Sequence, residues 1–186
     1  MHPLVTLPDG TTQRLECRTV AQLHTQGRRL EGYAAIFNHP GQIGRFTEVV
    51  RPGAFTRSLA SHRDVLALVD HDLTRLLARS GSGTLRLSED TRGLAFALDL
   101  PDTQLGRDML ALAERRDLGG MSFGFVAKDE AWPTQETREL RSVDLIEISV
   151  VQAFPAYDAT TVAARSQKPA GPSALARARQ RWMETV

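Results

Sequence analysis

The chain has 186 residues, 41% of them apolar, enough for one domain with a real core and a tail. Its 23 basic residues nearly cancel its 22 acidic ones, so no strong field argues for nucleic acid or an anionic membrane. The single cysteine, Cys17, excludes an internal disulfide and fits a reducing compartment; no apolar run approaches the ~20 residues of a membrane-spanning helix. The start of the chain, with Pro3, Pro8 and Asp9, lacks the charged and apolar blocks of a secretory signal.

Residues 1–28 read as a peripheral N-terminal segment, with a strand over 12–20 and a turn at Gln26-Gly27. Residues 30–37 are short, aromatic and β-prone, and end at the turn signal Asn38-His39-Pro40-Gly41. A strand over 46–50 follows. Pro52-Gly53 then introduces a short helix over 54–61, with Phe55 and Leu59 on one face. The apolar run 65–69 predicts a strand that delivers His71 at or just beyond its end. Alternation through Leu85 and Leu87, then Leu94, Phe96, Leu98 and Leu100, predicts a hairpin turning at Glu89-Asp90.

The clearest helix covers 103–116, with Leu105, Met109, Leu112 and Ala113 on one face. Asp102 or Thr103 can cap its start and Gly119-Gly120 can end it. Strand pattern resumes over 122–128, where Phe123 and Phe125 point one way and Ser122, Gly124 and Val126 the other. Trp132-Pro133 reads as the opening of a loop. The longest strand candidate is 140–151, apolar on both faces except at Glu147, and so central and covered on both sides. Residues 154–157 close the compact part; Lys168-Pro169-Ala170-Gly171-Pro172 is a linker, and 173–183 a basic helical tail. The domain reading is therefore 1–28 peripheral, 29–165 the main domain, and 166–186 a flexible basic tail.

Three side chains carry chemistry. Ser122 is a small hydroxyl between glycines in Gly119-Gly120-Met121-Ser122-Phe123-Gly124-Phe125, where a strand start can leave backbone N–H groups free for an oxyanion. His71, between Asp70 and Asp72, is the candidate base, ahead of His62 and His39. Glu147 stands in an apolar strand, where an ionised group needs a hydrogen-bonded partner such as an imidazole N–H. Asp144 and Asp72 are reserve acids. The stretch also matches G-x-S-x-G, the nucleophile elbow of α/β-hydrolases. That match fails, because every histidine (His2, His24, His39, His62, His71) precedes Ser122, and the helix precedes the strand. Asp70, His71, Asp72 and Glu147 form a weaker metal alternative without a recognised ligand spacing, so no metal or cofactor is expected. Cys17 lies in a peripheral strand with no base in view.

The ordered blocks Glu31-Gly32-Tyr33-Ala34-Ala35-Ile36-Phe37, Val49-Val50-Arg51-Pro52-Gly53-Ala54-Phe55-Thr56-Arg57-Ser58-Leu59, His71-Asp72, Met121-Ser122-Phe123-Gly124-Phe125 and Leu145-Ile146-Glu147-Ile148-Ser149-Val150-Val151, followed by Pro155-Ala156-Tyr157, resemble the prohead serine proteases of tailed phages, relatives in fold of herpesvirus assemblins. The resemblance spans about residues 30–161. It implies an α+β fold, a mostly antiparallel β-barrel wrapped by a few helices. It implies a serine endopeptidase with Ser122 as nucleophile, His71 as general base and Glu147 as the third member. Its substrates would be a scaffold protein or the major capsid protein precursor, and itself. It would self-associate as a dimer inside the assembling prohead in the host cytoplasm, without nucleic-acid or membrane partners. The segment after His71 departs from the family's usual turn and keeps only an arginine, Arg79. A catalytically silent capsid-assembly or scaffold-binding module on the same fold is the alternative.

Overall fold

The computed structural model describes residues 4–6, 10–20 and 23–152. The expected features at 154–157, the linker and the basic tail lie outside these residues. In chain order the elements are β1 (Leu4–Thr6), β2 (Thr12–Arg14), β3 (Glu16–Val20), β4 (Leu23–Gln26), β5 (Arg29–Ile36), β6 (Pro40–Ile43), β7 (Phe46–Val50), α1 (Thr56–Ala60), β8 (Leu66–Val69) and β9 (Asp72–Arg79). After a 3-10 turn come β10 (Leu85–Glu89), β11 (Gly93–Asp99), α2 (Gln104–Glu114), β12 (Gly120–Thr134) and β13 (Thr137–Val151). The expected helix is thus α2, capped by Thr103, whose hydroxyl accepts the Gly106 N–H at 3.2 Å. The expected hairpin is β10–β11, and the Trp132-Pro133 loop is instead the end of β12.

The strands build two sheets and the small β1–β2 hairpin. One sheet runs β10-β11-β5-β4; the other runs β3-β12-β13-β7-β6, with β8 also on β13 and β9 on β8. Pairing is antiparallel except where β7 and β8 lie parallel to β13. The closed barrel expected from the family resemblance is not formed among the described residues. The two sheets end in separate edges, β10 and β4 on one, β3, β6 and β9 on the other, instead of joining through a continuous ladder. The chain is a mostly-sheet α+β protein.

The core lies between the sheets. Leu30, Ala34, Leu94, Phe96 and Leu98 from one meet Met121, Phe123, Phe125, Ile148 and Val150 from the other, with Phe55 and Met109 beside the helices. Phe55 and Phe123 meet edge to face with centroids 5.4 Å apart. Because strand side chains alternate, Ser122, Gly124, Glu147 and Ser149 are directed to the opposite face of β12 and β13. The core on one side therefore fixes which residues the other side presents. α1 packs on β13, where Leu145 N–H bonds the Ser58 hydroxyl at 2.9 Å.

Candidate active site

The central ladder sets the site. In β12 and β13, Ser122 lies opposite Ser149 and Gly124 opposite Glu147. On the other edge of β12, Gly124 lies opposite Cys17 of β3. Cys17, Gly124 and Glu147 thus form a row across three neighbouring strands.

His71 reaches this row through a tight turn. β8 runs parallel to β13 with Val69 beside Val150, and β9 folds straight back on it with Asp72 opposite Val69. The two residues between, Asp70 and His71, both adopt left-handed φ, 51° and 61°. Such a turn matches the twist of the strands, and for non-glycine residues it costs about 1–2 kcal/mol each. The surroundings hold it. Asp70 N–H bonds Val150 O at 2.9 Å, Asp70 Oδ1 accepts Gln152 N–H at 2.9 Å, and Arg75 bridges Asp70 and Gln152. His71 N–H bonds the Ser149 hydroxyl at 3.2 Å.

The imidazole then meets the acid. His71 Nδ1 lies 2.8 Å from Glu147 Oε1, with Glu147 buried and the His71 side chain 25% exposed. The Ser149 hydroxyl donates to Glu147 Oε2 in a short bond. Ser149 therefore ties the backbone of the base to the carboxylate of the acid. Burial by itself lowers the His71 pKa, but hydrogen bonds to Cys17 and Glu147 and the Glu147 charge outweigh it, and the group is pushed up to about 10. The flanking aspartates look elsewhere: Asp72 caps Thr74, and Asp70 serves the turn. Asp144 pairs with Arg63 at 3.3 Å and Lys128 at 3.2 Å. Of the acids considered, Glu147 alone reaches the imidazole.

Ser122 is fully buried on the same face. Its hydroxyl is the buried side-chain polar atom with no hydrogen-bond partner among the described residues. The structure brings His71 and Glu147 into contact but does not close a bond from Ser122 to the imidazole. An unsatisfied buried hydroxyl costs about 1–3 kcal/mol, and in a native fold it calls for a functional reason. The free backbone donors expected near Ser122 are engaged instead. β12 is paired on both edges here, and Gly119 N–H bonds Val151 O at 2.7 Å.

Two contributors escape sequence reasoning. Ser149 had a signal, a second polar residue on the Glu147 face of an apolar strand. Cys17 had none, since the base beside it comes from a distant turn: donor atoms of Cys17, His71 and Glu147 all lie within 4.8 Å of one another. Arg79, the arginine kept after His71, is paired with Asp64 on the surface. Among the described residues, no helix is long and apolar enough to cross a membrane.

Comparison with known proteins gives the family and the fold. The family model of the caudovirus prohead serine protease matches residues 13–171. Among solved structures, the capsid assembly protease gp21 of bacteriophage T4 is similar in fold, with a TM-score of 0.55 at 8% identity, covering 75% of this chain and 98% of that one. No curated protein sequence matches the chain. By the extent of the family match, the chain belongs to the caudovirus prohead serine proteases.

Proposed function

We propose that this chain is a serine endopeptidase that cleaves scaffold or capsid-precursor segments, and itself, during prohead maturation. The reading rests on one observation above the family: a buried, unpartnered serine hydroxyl on the sheet face that carries a bonded His71–Glu147 pair. The raised pKa keeps the ring protonated near neutral pH, so His71 first gives up that proton; the neutral ring then takes the Ser122 proton as the serine attacks the peptide carbonyl. Glu147 orients the ring and favours its charged form, which is the state the ring enters on accepting that proton. A rotation of the Ser122 side chain or a small movement of the His71 turn completes the triad when substrate enters. Processing takes place inside the assembling prohead, and the enzyme associates as a dimer at some stage.

The second reading, a silent assembly module on the same fold, draws on the missing Ser122–His71 bond. Co-expression with the capsid precursor separates the two. Ser122→Ala should abolish the appearance of new capsid-protein termini by mass spectrometry while the circular dichroism of the protein stays unchanged. Processing that continues in the Ser122→Ala variant would overturn the peptidase assignment.

A further inference from the structure

We propose that Cys17, His71 and Glu147 form a binding site for a thiophilic divalent cation of the Zn²⁺ class, and that its occupancy switches the peptidase off; the second half rests on the function proposed above. One sulfur, one nitrogen and one oxygen donor, supplied by β3, the β8–β9 turn and β13, lie within 4.8 Å of one another. Zinc holds such donors at about 2.0–2.3 Å, which sets them about 3.5 Å apart around a tetrahedral ion. Rotamer adjustments of three side chains cover the difference. A mixed sulfur, imidazole and carboxylate set selects zinc-like ions over Mg²⁺ or Ca²⁺, which take all-oxygen sites.

A second observation concerns the space around the donors. The residue between Cys17 and Glu147 in the ladder is Gly124. A Cβ there would overlap Glu147 Oε1 and stand 2.9 Å from its Cδ. The glycine leaves room over the central strand that the Glu147 carboxylate fills, and Cys17 is the cross-strand neighbour of that glycine on β3. Ser149 holds the second carboxylate oxygen, as an outer partner does for a metal ligand. The imidazole side chain, 25% exposed, gives solvent a way in, and a bound ion would take water as its fourth ligand.

Binding silences the base whichever ring nitrogen is used. An ion on Nε2 occupies the lone pair that would accept the serine proton. An ion on Nδ1 forces the remaining proton onto Nε2, with the same result. Cys17 binds as thiolate and His71 as neutral imidazole, and the protons they give up pass to solvent; no electron is transferred.

The test uses the full chain stripped with chelator, with Co²⁺ as the spectroscopic probe and Zn²⁺ as competitor. One equivalent of Co²⁺ should produce a thiolate-to-cobalt charge-transfer band that Zn²⁺ removes. The band should persist in Ser122→Ala and vanish in both Cys17→Ser and Cys17→Ala, with folding of each followed by circular dichroism. Zn²⁺ should inhibit precursor cleavage reversibly, and the ratio of rates with and without ion should be roughly tenfold or more less sensitive in a cysteine variant. A wild-type protein without the band, or cysteine variants that titrate like wild type, would overturn the site. Equal zinc inhibition in wild type and variants would overturn the switch. A normal band on a protein that cleaves nothing leaves the metal site standing and removes the peptidase.

Discussion

The carboxylate of Glu147 lies over Gly124, its cross-strand neighbour, in space that any Cβ would fill. The glycine is therefore required by the acid and not by its own backbone. Gly124→Ala should push Oε1 away and break its 2.8 Å contact with His71 Nδ1. Catalytic efficiency should fall roughly tenfold or more, and the overpacked site should lose about 1–3 kcal/mol of stability. Cleavage kinetics and denaturant unfolding read the two effects. An alanine variant that cleaves at the wild-type rate would show that the working enzyme does not use this pairing.

Glu147→Gln keeps the volume and removes the charge that stabilises the imidazolium. Its kcat should drop roughly 100-fold or more with little change in unfolding midpoint. Asp144→Asn, which touches only the Arg63 and Lys128 pairs, should leave the rate near wild type. A dead Asp144→Asn variant beside an active Glu147→Gln would reassign the third member.

Ser149→Ala removes a hydroxyl that accepts from the His71 backbone and donates to Glu147. The base and acid keep their direct contact but lose the brace between them. The expected result is a lower kcat at nearly constant KM, since Ser149 acts through its neighbours. Ser149→Thr, which retains the hydroxyl, should recover much of the loss. A pure rise in KM, or no rescue, would count against a positioning role.

The site was only partly readable from the chain. Glu147 stood out because an ionisable group in an apolar strand is expensive, and Ser122 because glycines bracket it. Both signals are local. The turn geometry of Asp70 and His71 was hidden, since neither residue announces left-handed φ as glycine does. Cys17 looked peripheral because strand neighbours are set by long-range pairing: β3 joins β12 across about a hundred residues of chain, a relation that periodicity cannot supply. Helix α2 and the β10–β11 hairpin were legible for the converse reason, as each is closed by contacts near in sequence. The barrel expected from the family was a matter of how sheets meet at their edges, and no residue pattern specifies that.

The same β3 that brings Cys17 also brings a buried charge network, and this predicts an acid limit to stability. Arg18 is 2% exposed and Glu48 1%. Arg18 holds both oxygens of Glu48, at 2.5 and 2.8 Å, and Arg138 joins Glu48, Glu16 and Glu130. Burial raises the Glu16 pKa, but the hydrogen bonds and charges of Arg138 and Arg18 prevail and hold it below the ordinary carboxylate value. A depressed folded-state pKa means that the unfolded chain binds the proton more readily. The contribution of Glu16 is thus complete above the ordinary glutamate range and disappears as pH falls through the folded value. Thermal midpoints measured from about pH 7 down to about pH 3 should fall on the acid side, and Glu16→Gln should flatten that limb while lowering stability near neutrality. An acid limb with the same slope in the Glu16→Gln variant would show that other carboxylates govern it.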